Sequence, residues 1–448
     1  MPCDTALVIG GGIAGMQAAL DIANAGFKVV LVEKSPSIGG RMLQFSEVFP
    51  TLDCPQCIGT PKMLEVGSHP NIQLIAYSEV ESVTGTCGNF TVKIRQKSRF
   101  VDPSRCSACG ECSKVCPVQV PDERNLGLSR RKAIYIPFAQ AVPNIATIDP
   151  DYCLHLKGLK EGKDLCRLCQ KGIPQKNLPG CEAKAIDFNI QNKIIEINVG
   201  VIIVAVGYDL FDARLKPEYG YGVYPGVITG MELERIDESG GPTLGKIVVN
   251  GKSPRNVVFI QCVGSRDKSV GVEYCSRVCC MYTAKQALYV KSKLPEAKVT
   301  VCYIDVRAFG KGYEQFYERV QEAGVIYRRG MVSEVYKEGD SLVVRAEDTL
   351  SGEIYEERAD LVVLATGLRP SGDTVELARL LNIPVGADGF FLESHPKLGP
   401  VETAVDGIYL AGCCQGPKDI ADTVIQAGAA ASMACIKLAV TGKGTESA

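Results

Sequence analysis

Tryptophan is absent from this 448-residue chain, and histidine occurs three times only, at His69, His155 and His395. Imidazoles this scattered are expected to be structural or surface groups rather than catalytic ones. Excess charge is lacking as well. The formal net charge is −2 and no basic block offsets it, which argues against a nucleic-acid partner. No unbroken apolar run reaches about 18 residues, so no membrane-spanning helix is expected. The opening residues, Met1-Pro-Cys-Asp-Thr-Ala6, carry neither the basic nor the apolar segment of a secretory signal. With 46% hydrophobic and 22% charged residues, the chain reads as an ordinary globular protein of two or three domains.

Cysteine, by contrast, is abundant. Twenty cysteines in a chain this long do not fit a secreted disulfide scaffold. They are expected as thiolates in a reducing cytoplasm, mostly bound to metal.

The most specific pattern is Cys106-Ser-Ala-Cys109-Gly-Glu-Cys112-Ser-Lys-Val-Cys116-Pro117, the C-x2-C-x2-C-x3-C-P run of bacterial ferredoxins. Its first three thiolates suit three corners of one [4Fe–4S] cube, and the fourth serves a second cube. Cys153, Cys166, Cys169 and Cys181 follow, resembling a second ferredoxin half with insertions after its first and third cysteines. Crossed ligation then gives Cys106, Cys109, Cys112 and Cys181 to one cluster, and Cys116, Cys153, Cys166 and Cys169 to the other. Glu182 stands where the usual proline would follow. The plainer alternative is an insertion with a single cluster and some free cysteines.

Near the N-terminus, the apolar strand Ala6-Leu-Val-Ile9 runs into Gly10-Gly-Gly12-Ile-Ala-Gly15. A helical pattern follows, ended by Gly26, and then a strand closing at Glu33. Glycines let a pyrophosphate approach a helix N-terminus, and an acid about 20 residues on meets a ribose hydroxyl. FAD or NAD remains open from this segment alone, but the Glu33-Lys34…Gly39-Gly40-Arg41 continuation resembles the flavin domains of two-dinucleotide-binding flavoproteins, which tilts the choice to FAD. Cys54-Pro-Gln-Cys57 fits a flavin-facing dithiol, a pair of extra cluster ligands, or a structural turn.

Two apolar strands end in glycine turns, Val206-Gly207 and Ala365-Thr-Gly367, of the kind that return a chain from one nucleotide domain to the next. Ala411-Gly412-Cys413 resembles a flavoprotein Ala-Gly-Asp in which cysteine replaces the acid. The helix start near Thr423 would face the flavin with its dipole. A second Rossmann-like unit begins at Asn256. Where its phosphate loop belongs stands Gln261-Cys262-Val-Gly-Ser-Arg266, with one glycine, so NAD(P) binding there is doubtful. Cys262, Cys275, Cys279 and Cys280 fit either a third cluster at a helix start or small buried residues packing a helix on a sheet.

Several longer strings carry a family resemblance: Thr51-Leu-Asp-Cys-Pro-Gln-Cys-Ile58, Arg131-Lys-Ala-Ile-Tyr-Ile-Pro-Phe-Ala-Gln-Ala-Val-Pro143, Tyr274-Cys-Ser-Arg-Val-Cys-Cys-Met-Tyr282 and Ala411-Gly-Cys-Cys-Gln-Gly-Pro-Lys-Asp419. From about residue 5 to 440 the chain resembles the HdrA family of heterodisulfide reductase flavoproteins. The resemblance implies an α/β fold, a thioredoxin-reductase-like pair of Rossmann-type domains with an inserted ferredoxin-like domain. The expected divisions are 1–98, 191–250 and 346–448 for the FAD-binding domain and its return, 99–190 for the insertion, and 251–345 for the second unit. It also implies a third cluster at Cys262, Cys275, Cys279 and Cys280. Lys285 matches the family's lysine near flavin N5, although a surface lysine would fit the same helix.

Family members usually carry further domains at both ends, so the sequence is expected to resemble the short HdrA-like forms. The implied function is electron transfer between FAD and [4Fe–4S] clusters toward HdrB- and HdrC-like partners, with electron bifurcation compatible with it. A homodimer of the core is a further expectation. Two rivals stand beside this reading: a self-sufficient NAD(P)H-dependent disulfide reductase using Cys54 and Cys57, and a non-catalytic scaffold.

Overall fold

The computed structural model describes residues 3–249 and 251–443. Ten strands build two parallel sheets: β1 (Thr5–Ile9), β2 (Lys28–Glu33), β3 (Ile72–Ala76), β4 (Val201–Val204), β5 (Val227–Thr229), β6 (Asn256–Val263), β7 (Lys298–Tyr303), β8 (Ile326–Arg329), β9 (Leu361–Thr366) and β10 (Ile408–Leu410). The first sheet runs β10-β4-β1-β2-β3 and the second β5-β9-β6-β7-β8. Their strands are near-continuous apolar runs because both faces are covered. All residues of β4, β9 and β10 are buried.

The principal helices are α1 (Ile13–Asn24), α2 (Pro55–Ser68), α3 (Gly230–Asp237), α4 (Cys279–Lys293), α5 (Tyr313–Glu322) and α6 (Ile420–Lys443). α3 is closed by a capping box, in which Thr229 and Glu232 satisfy each other's backbone N–H groups. Each parallel sheet is joined by a three-stranded antiparallel sheet. One contains Ser78–Thr86, Asn89–Gln96 and Lys193–Val199, the other Val332–Glu338, Ser341–Asp348 and Glu353–Ala359. Tyr208–Leu210 pairs with Leu368–Pro370, so the two glycine return turns lie side by side.

Helix α6 is the element that bears on the expectation of no membrane-spanning helix. Ile420–Thr441 is long and apolar enough to cross a membrane by length and composition alone. Polar and small residues break its apolar run without lowering its average much. Ala427, Ala430, Ala431, Ala434 and Leu438 recur at helical spacing and pack in one core with Ala18, Ala19 and Ile22 of α1. That face is therefore spent on the fold.

Between the antiparallel strands of the first unit, the cysteine-rich segment forms short helices and two-residue or three-residue ladders around a small core. Val101, Ile134, Ile148, Leu156, Ile186 and Phe188 share that core with Cys112, Cys153 and Cys169. Polar clamps fix the segment to the first unit. Arg99 donates to the Pro36 carbonyl at 2.6 Å, and Arg124 to that of Leu43 at 2.6 Å.

Candidate functional site

The β1–α1 turn leaves no room for side chains. A Cβ on Gly15 would sit 1.8 Å from the Gly10 carbonyl oxygen, and Gly10 itself holds φ +108° against Ala205. At the end of β2, Glu33 accepts the Gly11 N–H at 2.6 Å and the Ser35 N–H at 2.7 Å. Burial pushes its carboxyl pKa up despite those donors.

A cleft of about 1680 Å³ opens above this turn. Gly10, Gly12, Glu33, Lys34, Gly40, Arg41, Gly207, Cys413, Thr423 and Lys285 all line it. Ten of the residues read from sequence as flavin contacts thus line one cleft. Gly15, Gly367 and Gly412 do not reach it. They act behind the wall, where Gly367 packs on the Gly264 carbonyl and Gly412 donates its N–H to Gln426. Arg41 clamps the return turn, donating to the Tyr208 carbonyl at 2.8 Å and to Asp209 at 2.6 Å. Lys34 is half-exposed and paired at 2.7 Å with Asp373. The cleft suits FAD by its glycine cradle, its ribose-type acid and its mixed apolar and polar walls.

Lys285 is not a surface lysine. Its side chain is 2% exposed and its Nζ lies 2.7 Å from Glu234 Oε1, itself 2% exposed. It also donates to the Glu47 carbonyl at 2.6 Å. Sequence reading missed Glu234, because nothing local in α3 marks it as the partner of a residue 51 positions on. It also missed Lys418, which lines the cleft and is 8% exposed. Lys418 donates to the Gly412 and Gly416 carbonyls and to Gln415, so it locks the turn that presents Cys413. Burial pulls its pKa down.

The twelve cysteines assigned to clusters fall into three sets of neighbours. Burial pushes the Cys112 thiol up to about 12, and Cys181, Cys106 and Cys109 push it the same way. Cys169 is likewise raised to about 12 by burial and by Cys153, Cys166 and Cys116. Cys116, Cys153, Cys166 and Cys169 line one small cavity walled by Val118, Ile134, Ile148 and Phe188. In the second Rossmann-like unit, burial raises Cys279 well above the usual thiol range, followed by Cys262, Cys280 and Cys275. Burial and neighbouring sulfurs thus oppose ionisation at Cys112, Cys169 and Cys279, an opposition that a cationic metal among the sulfurs would offset. No three His, Cys, Asp or Glu groups among the described residues converge closely enough for a single metal ion. The sets are neighbours without being mononuclear sites.

Cys54 and Cys57 are joined as a disulfide in the first turn of α2. Neither lines the cleft, although Asp53 and Ile58 on either side do. Cys57 is exposed and Cys54 half-buried. At the degenerate loop of the second unit, Gly264 holds φ +67° and the Phe211 ring lies directly on it. A Cβ there would meet ring carbons at 2.0–2.3 Å. The Phe211 ring thus packs directly on the loop where a phosphate-binding turn would stand.

Comparison with known proteins agrees with this geometry. Residues 5–48 match an FAD binding domain and residues 99–122 a 4Fe-4S binding domain. Thioredoxin reductases from T. acidophilum and Lactococcus lactis share the fold, with TM-scores of 0.50 and 0.51 at 13% and 14% identity. They cover 98% and 97% of this chain and 99% of their own. The chain is 53% identical over 438 residues to the HdrA protein of Methanocaldococcus jannaschii, a CoB–CoM heterodisulfide reductase iron-sulfur subunit. It is 51% identical over 439 residues to the corresponding subunit of the H2:CoB–CoM heterodisulfide,ferredoxin reductase of Methanothermobacter marburgensis. Each alignment covers 97% of this chain and 64% of the relative. The corresponding subunit of the ferredoxin/F420H2-dependent CoB–CoM heterodisulfide reductase of Methanosarcina acetivorans is 48% identical, over 95% of this chain and 52% of its own length. The chain spans about two thirds or less of these relatives, and along that span it belongs to the HdrA family of heterodisulfide reductases.

Proposed function

We propose that this chain is an FAD- and iron–sulfur-containing electron-transfer subunit of a heterodisulfide-reductase-like complex. One observation carries the reading. Cys279 and Cys280 open α4, and two turns of the same helix present Tyr282 and Lys285 to the flavin cleft. A single rigid element thus joins the third cysteine set to the wall of the flavin site.

The bound flavin supplies the exchange between electron pairs and single electrons. The residues around it bind and orient. The glycine turn and Glu33 hold the adenosine end, Arg41 fixes the return turn, and Lys285 keeps a buried cation on the wall. Cys106, Cys109, Cys112 and Cys181 hold one cluster in this reading. Cys116, Cys153, Cys166 and Cys169 hold the second, and Cys262, Cys275, Cys279 and Cys280 the third. Electrons enter and leave through HdrB- and HdrC-like chains in the cytoplasm, without a direct membrane span, and the core pairs as a homodimer. The disulfide beside cleft-lining Asp53 and Ile58 favours a second reading, an NAD(P)H-dependent disulfide reductase. The Phe211 ring over Gly264 weighs against it.

Oxygen-free purification tests the proposal. The expected content is one FAD and about twelve iron atoms per chain, four for each of three cubes, with matching acid-labile sulfide. Material without flavin, or without acid-labile sulfide, overturns it.

A further inference from the structure

Resting on the third cluster of that reading, we infer that Arg266 is a positioning residue that sets the cluster's reduction potential through a charged N–H···S contact to Cys262. The guanidinium is held from two sides. Arg266 Nη1 donates to Asp305 Oδ2 at 2.8 Å, and Nη2 lies 3.5 Å from Cys262 Sγ. Its Nε is buried and has no hydrogen-bond partner among the described residues. One donor therefore remains for a group not built from this chain, beside a sulfur in the cluster set.

The contact is specific to this sulfur. Cys181 and Cys275 receive backbone N–H groups, from Ala185 and Arg277, each at 3.3 Å. Cys262 receives a full positive charge. Cys262 and Arg266 both hold left-handed φ, +60° and +55°. Such conformations are costly for residues with side chains and persist where the surroundings enforce them. Here Arg266 N–H donates to the Tyr274 carbonyl, and Cys280 Sγ contacts the Asp305 carbonyl at 3.6 Å. Asp305 thus ties the guanidinium and another sulfur of the set into one corner.

Hydrogen bonds to cluster sulfurs are among the determinants of iron–sulfur potentials. A guanidinium is charged at every working pH, and its planar fork serves both Asp305 and Cys262 at once. It favours the form of the cluster that carries one more electron, and so raises the potential.

The test uses the full chain, purified without oxygen and titrated with dithionite under EPR. The third cluster's signal is identified as the one altered in Cys275→Ser. At a fixed solution potential, Arg266→Gln is expected to shift the reduced-to-oxidised ratio of that cluster about tenfold toward oxidised, which is 59 mV for one electron. The ferredoxin-like clusters keep their ratios. Arg266→Lys, which keeps the charge and loses the fork, is expected to shift it less and in the same direction. Arg266→Gln with full iron content and an unchanged ratio overturns the inference. So does a loss of four irons in both variants, which would make Arg266 structural only. Wild-type protein with eight irons overturns the third cluster itself, a failure visible before any substitution is made.

Discussion

Lys285 Nζ lies 2.7 Å from Glu234 Oε1, with each side chain 2% exposed. Phe45 and Tyr289 rings flank the ammonium at 5.3 Å, and Gln286 donates to the same carboxylate oxygen at 2.6 Å. Breaking a buried pair by removing one partner leaves an uncompensated charge and typically costs about 3–5 kcal/mol. Glu234→Ala is therefore expected to destabilise the protein by that order in denaturant unfolding. The double change Lys285→Met with Glu234→Met should cost far less, because both charges leave together. Equal losses in the single and double variants would contradict the pairing.

Glu33 gives a pH signature. Burial raises its folded pKa above the ordinary 4.5. The folded state then holds the proton more tightly than the unfolded chain. The group's contribution to stability is fully present below about pH 4.5 and is lost as pH rises through the raised value. Flavin-free wild type should lose this increment with rising pH, and Glu33→Gln should not. The same variant should bind FAD more weakly, since an amide offers one acceptor where the carboxylate offers two. Flavin retention on desalting checks the second point, and pH-dependent melting of the flavin-free protein checks the first.

Phe211 is 4% exposed and its ring covers Gly264. Phe211→Ala should cost about 3–5 kcal/mol, as for other buried phenylalanines. Gly264→Ala should be comparably harmful, because φ +67° and the ring both oppose a Cβ. With the ring packed on the loop, NADH and NADPH are expected to leave the flavin absorbance unchanged in the wild type. Rapid bleaching by either, lost in Cys54→Ser, would favour the disulfide-reductase reading instead.

Much of this was legible in the residues because it is local. Gly10 to Gly15 with Glu33, and Cys106 to Cys116, are short-range spacings imposed by one turn or one loop, so they read directly. Ferredoxin spacing also carries the expectation that Cys181 joins Cys106, Cys109 and Cys112, and the sulfurs of Cys181, Cys106 and Cys109 lie near Cys112. What could not be read depends on distant packing. Lys285 suits a helix surface equally well by sequence, and only α3 placing Glu234 against it explains its burial. Lys418 has no mark beyond a proline before it and an aspartate after it. Helix α6 escapes a search for apolar runs because Asp422, Gln426, Gly428, Ser432 and Lys437 interrupt the run without making the helix polar. The Arg266 contact depends on two left-handed residues, a conformation no spacing rule announces.

The link between flavin and third cysteine set along α4 is tested most directly by Cys279→Ser. The variant and wild type would be purified without oxygen, their iron counted, and electron exchange followed by rapid mixing of reduced protein with an acceptor. The expected result is retention of FAD, loss of about four irons, and loss of the exchange phase between the flavin and the third cluster. Undiminished iron, or exchange at the wild-type rate, would contradict it.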